Sequence, residues 1–130
     1  MVWNRSAPTR MAMLTRMQYD ILLASARSLQ ALLKEMQSEA ELFASANTLQ
    51  RVEVCLLVMA QTLTHLPKPM QARLVQVDWH GWSCLEALLE KNAHPRRAEV
   101  WYGTQSLVPM TLELLATLRR QEPVWFEIGY

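Results

Sequence analysis

Glycine is scarce in this 130-residue chain, with three residues, and the scarcity excludes whole classes of function. A phosphate-cradling loop needs glycine where the backbone must approach its ligand, and neither G-x-x-x-x-G-K-[ST] nor G-x-G-x-x-G occurs. No G-x-S-x-G turn is present to raise a serine nucleophile, and Ser83 and Cys84 stand without an ordered His–acid pair in sequence. Cysteine is limited to Cys55 and Cys84, both in apolar contexts and without a C-x-x-C pair, which predicts buried thiols in a reducing cytosol. A formal charge of +1 gives no strong overall field, so an obligate nucleic-acid binder is not indicated, although a local basic patch is allowed. Long apolar runs are missing too. Residues 54–67 carry no Asp, Glu, Lys or Arg, but a bilayer crossing needs about 20 apolar residues. The opening "MVWNRSAPTR" lacks the apolar core of a secretory leader. The expectation is a soluble cytoplasmic protein with no membrane contact and no cofactor.

What the chain does have is helix-forming material. Leu, Ala, Met, Gln, Glu and Arg are abundant, and unbranched side chains lose little rotamer freedom in a helix. Hydrophobic residues make up 51%, enough for one core at this length. Residues 1–10 read as a flexible N-terminal arm, 11–121 as a helical domain and 122–130 as an aromatic tail that docks on something. The first helix is expected over Met11–Gln37, with Leu14, Met17, Ile21, Leu29, Leu32 and Met36 on one face. A second begins near Asn47, where Asn47 and Gln50 suggest a capping box. Its stripe is Leu49, Val52, Leu56, Met59, Leu63 and Leu66, and its other face carries Cys55, Leu57 and Val58 instead of charges. A helix apolar nearly all round must be buried nearly all round, as a central helix or at a subunit interface. Pro67 and Pro69 end it and permit a short helix over Met70–Val77. Asp78 is a natural N-cap for a helix from Trp79 to Lys91. "NAHPRR" then breaks the pattern, and a last helical region runs from Arg96 to Arg120 with a kink at Pro109. No alternating strand pattern or repeat is present. The prediction is an all-α, up-and-down bundle of four to five helices.

Two groupings carry possible chemistry. His80 and Cys84 lie one helical turn apart, but two ligands do not make a metal site, and no metal is expected. Trp79 and Trp82 beside them suit core or interface. The segment "EKNAHPRRAEVWYG" sets His94 among Lys91, Arg96, Arg97 and Tyr102. Guanidinium forks bind phosphate, histidine moves a proton near neutral pH, and a tyrosine stacks on a base. The same residues also suit a solvated joint between helices, which composition alone favours.

Across the chain, "FASANTLQRVEVCLLVMAQTL", then "LP" and "VDWHGW", then "EVWYGTQSLVPMTLELL" resemble the HepT-like branch of the HEPN superfamily. Phe43, Thr48, Asp78, Trp79, Val100, Trp101 and Pro109 fall in that branch's order, and the resemblance covers about residues 15–120. It implies a HEPN-like bundle that pairs about a two-fold axis, for which the uncharged second helix with Cys55, Leu57 and Val58 supplies a physical reason. Many such proteins are toxins that cleave RNA and are restrained by a minimal nucleotidyltransferase; others are non-catalytic partners of that enzyme. The active ones carry Arg, four to six residues, His, one residue and often Tyr, so that histidines and arginines meet across the dimer and cleave RNA without metal.

This chain departs from that motif. His94 has Ala87, Leu88 and Leu89 where the arginine belongs, and Arg96 where the tyrosine belongs. His80 satisfies the letters through Arg73, but Arg73 precedes the Asp78–Trp79 landmark and falls on a different predicted helix. Arg73, His80 and His94 are thus weak catalytic candidates in a degenerate motif. The expectation is a homodimeric partner or regulator of a minimal nucleotidyltransferase in a toxin–antitoxin-type module. The alternatives are a metal-independent ribonuclease toxin that binds RNA and an unrelated helical scaffold.

Overall fold

The computed structural model describes residues 6–126, and every regular element among them is helical. In chain order these are α1 (Ser6–Lys34), α2 (Glu39–Ala44), α3 (Ala46–Thr64), α4 (Lys68–Arg73), α5 (Trp79–Glu90) and α6 (Arg97–Tyr102). A π-helical segment, Gly103–Leu107, joins α6 to α7 (Val108–Gln121), and a 3-10 turn follows at Pro123–Trp125. The all-α bundle expected from composition and periodicity is the fold. Helix α3 lies antiparallel to α1, with Gln50–Cys55 beside Ser28–Glu35 and the Gln18 amide donating to the His65 carbonyl at 2.8 Å. Helix α5 runs antiparallel to α3 on its other flank, where Gln61 meets Glu90 and Thr64 meets Glu86.

Helix α3 is the centre of the core. Val52, Leu56, Met59, Ala60 and Leu63 are all fully buried, as their spacing predicts, and Leu66 continues the line. From α6, the π-helical segment and α7 the core takes Val100, Leu107, Val108 and Leu115, all buried, and the Trp82 indole donates to the Thr111 hydroxyl at 2.9 Å. Asp78 caps α5 as expected, its Oδ1 accepting from the Gly81 N–H at 2.8 Å. At the other end, Asn92 takes a positive φ of 49°, and Ala93 and Asn92 donate back to Leu88 and Leu89. These are the paired bonds of a Schellman stop, with asparagine in the position glycine usually fills.

Several expectations are corrected. Helix α1 begins at Ser6, inside the arm predicted for residues 1–10, and ends at Lys34, short of Gln37. Its inward face is Ala12, Thr15, Tyr19, Leu22, Ala26 and Leu29; of the predicted stripe Leu29 is buried and Leu32 and Met36 pack against the core, whereas Leu14, Met17 and Ile21 are exposed. Helix α2 was not anticipated, although Ser38 and Glu41 mark its start: Ser38 Oγ accepts from the Glu41 N–H and Glu41 from the Gln37 N–H. The cap of α3 is Ser45, without a side-chain bond, in place of the Asn47–Gln50 box. Helix α4 occupies Lys68–Arg73 instead of Met70–Val77, because Pro69 fits its first turn and residues 74–77 turn to present Asp78 to α5.

In place of a kink at Pro109, the five-residue π-helical segment Gly103–Leu107 precedes it in the chain. Proline cannot donate to the carbonyl four residues back and its ring crowds that carbonyl. The helix widens instead, with Val108 donating five residues back to Gly103. The tail docks on its own molecule: Phe126 is fully buried, its ring 5.1 Å from Tyr19, and the Trp125 carbonyl accepts from Thr15 Oγ1. Arg119 covers both rings. Residues 1–5 and 127–130, Tyr130 included, lie outside the described residues.

Candidate functional site

The histidine segment is built around Arg96. Its guanidinium donates to both Glu53 carboxylate oxygens on α3, at 2.7 and 3.0 Å, and also to Asn92 Oδ1 at 2.7 Å and the Ala93 carbonyl. Both side chains are largely buried, at 12% and 16% exposure. Hydrogen bonding to Glu53 holds the Arg96 pKa above its ordinary value. The fork that was expected to bind phosphate is therefore spent on bolting the α5–α6 turn to α3. Arg97 pairs with Glu39 at 3.1 Å and lies 4.5 Å from the centre of the Phe43 ring. Lys91 is the exposed C-cap of α5. His94 is exposed and, with Phe43, Leu49, Pro95 and the two arginines, lines a shallow cleft of about 480 Å³.

Tyr102 lies away from that cleft. Its hydroxyl donates to Asp78 Oδ2 at 2.7 Å, tying α6 to the start of α5. The bonds from Tyr102 and from the Gly81 N–H hold the Asp78 carboxyl below its ordinary pKa, and the carboxylate in turn raises the phenol's. Gly81 is required there, since a Cβ would sit 2.6 Å from Asp78 Oδ2. His80, exposed on the next turn, has its Nε2 3.5 Å from Cys84 Sγ. Cys84 is exposed and Cys55 half-buried, which corrects the expectation of two buried thiols. Arg73 is held by Glu122, whose carboxyl this pairing keeps below its ordinary pKa. The letters Arg73-x6-His80 thus lie on α4 and α5 with separate partners, and Arg73 faces the end of α7.

Exposed apolar side chains lie on α1 and α3, and also at Val75, Met110 and Val124. Met17 is 60% exposed and Val54 56%, with Leu14 and Ile21 nearly as open. Between the two helices a groove of about 690 Å³ is lined by Ser28, Leu32, Glu35, Arg51, Val54 and Cys55. Of the predicted interface residues, Cys55, Leu57 and Val58 are half-buried, and burial pushes the Cys55 thiol up. Val54 and the outward stripe of α1 were missed as surface residues; the signal was present, as α1 carries two apolar stripes where a one-sided helix carries one.

Among the described residues no group of three or more His, Cys, Asp or Glu side chains is placed to hold a metal, and no helix is long and apolar enough to cross a membrane. Comparison with protein-family models, curated proteins and solved structures gives no match.

Proposed function

We propose that this chain is a HepT-like helical module that acts by binding, as a homodimeric partner or regulator of a minimal nucleotidyltransferase in a toxin–antitoxin-type pair. The observation that carries the reading is the apolar face shared by α1 and α3, where Leu14, Met17, Ile21 and Val54 stand open to solvent. Exposed apolar side chains along two neighbouring helices suit a protein-binding surface. The ordered landmarks of the HepT-like branch support the choice of family, and the all-α bundle is compatible with it. The state of one cationic candidate supports binding over catalysis: Arg96 is held in a largely buried pair with Glu53, while the pairs of Arg73 and Arg97 are exposed and Lys91 is exposed.

A ribonuclease reading keeps one observation in its favour, the exposed His94 at a cleft beside Arg97. The two are separated by one set of experiments. The protein is co-expressed with a minimal nucleotidyltransferase, where a neighbouring gene encodes one, and complex formation is followed by affinity capture. Labelled RNA is incubated, without metal, with the parent, His80→Ala and His94→Ala. A stable complex with no cleavage by any form is the expected result. Cleavage by the parent that is lost in either variant overturns it in favour of the nuclease, and a folded protein with neither partner nor cleavage overturns both.

A further inference from the structure

We propose that the His80–Cys84 pair on α5 is a thiol-modification site, at which the imidazole assists exchange between the Cys84 thiol and a low-molecular-weight disulfide. The site is a nucleophile with its base, set one helical turn apart so that both project from the same face. Cys84 Sγ lies 3.5 Å from His80 Nε2, and both side chains are exposed, so a small disulfide reaches the sulfur without any rearrangement. A thiol attacks a disulfide only as thiolate, and a base within hydrogen-bond reach supplies it at the moment of attack. Asp78, fixed by the Gly81 N–H and the Tyr102 hydroxyl, caps the same helix two residues before His80.

In the step, the Cys84 S–H proton passes to His80 Nε2 and the sulfur attacks one sulfur of the disulfide. The S–S bond breaks and the leaving thiolate departs with the electron pair, then takes the proton from the imidazolium. Cys84 is oxidised to a mixed disulfide and the other half of the reagent is reduced to a thiol. Cys55 is the internal contrast, half-buried against the α1–α3 groove with no such base assigned to it. The site lies outside the α1–α3 face, so the inference stands apart from the partner reading.

The test uses the full chain and oxidised glutathione at neutral pH, with the modified cysteine located by peptide mass mapping over time. Because Cys84 is also the more accessible thiol, the deciding comparison is with His80→Gln, a good helix former that lacks the base. The expected result is a rate at Cys84 about tenfold lower in His80→Gln, with helicity by circular dichroism unchanged. The parent unfolded in urea gives a second comparison that needs no variant, and Cys84 in the native chain is expected to react faster than in the unfolded one. Equal rates in parent and His80→Gln, or a native rate no higher than the unfolded one, overturn the proposal.

Discussion

At the scale of single residues the chain uses its charges as fasteners. The Arg96–Glu53 pair is the clearest case, since removing one partner leaves the other largely buried and uncompensated. Arg96→Met is expected to cost about 1–3 kcal/mol in urea unfolding, while Arg96→Met combined with Glu53→Met recovers a large part of that loss. An equally costly double variant would show that the pair is more than a local bolt. Asp78 gives a pH prediction with a definite sign. Its folded pKa is below the unfolded value, so its stabilising contribution is complete above the ordinary carboxylate range near about pH 4 and is lost as pH falls through the depressed folded value. Asn caps a helix nearly as well as Asp but does not titrate, so Asp78→Asn should flatten the acid limb of stability against pH, leaving the share contributed by Glu122. An unchanged acid limb would place the titration elsewhere. The residue scale was also the least legible in the sequence. Arg96 and Arg97 read as surface charges of an inter-helix joint or as phosphate ligands, and their pairing was illegible because Glu53 and Glu39 are 43 and 58 positions away and no spacing rule connects them. Asp78 was legible because capping is a local matter.

Among the elements, local signals were read correctly where one pattern dominated and misread where two competed. Helix α3 buries its strongest stripe as the sequence predicts, but its second apolar face is only half-buried and leaves Val54 exposed, short of the all-round burial expected. Helix α1 has two stripes, and the inward one is disguised by Ala12, Thr15 and Ala26, small or polar residues that let neighbours pack close but do not score as hydrophobic. The outward stripe of Leu14, Met17 and Ile21 scores higher, which is why periodicity chose it. This register makes a sharp test. Leu22→Ala, at a fully buried position, is expected to lower stability by about 2–4 kcal/mol. Ile21→Ala, one residue away and exposed, should cost under about 1 kcal/mol when measured at concentrations where the protein is monomeric. The reverse order would mean that the helix is rotated back to the face first read from the sequence. The tail carries the same lesson from the other side: its aromatic composition predicted docking, but its partners, Thr15 and Tyr19, come from the opposite end of the chain.

For the whole molecule, the α1–α3 face ties fold to function. The helix that dominates the core also presents Val54, Leu57 and Val58 away from it, and α1 aligns its second stripe alongside. A buried interface there would remove the exposed parts of Met17, Ile21 and Val54 from water at once, each contributing roughly half of the ~1.5–3 kcal/mol of a fully buried side chain before the costs of association. The proposed two-fold pairing would let one copy's Glu35 face the other's Arg51, since both residues line the groove. Met17→Glu and Val54→Glu place a carboxylate in that surface without touching the core, since both side chains are already more than half exposed. Sedimentation of the parent and the two variants over a range of concentrations checks the idea directly. The parent should sediment as a dimer, and each variant as a folded monomer with unchanged helicity. Dimers that survive both substitutions would move the contact to another face, and a parent that stays monomeric would leave the α1–α3 surface to a different protein alone.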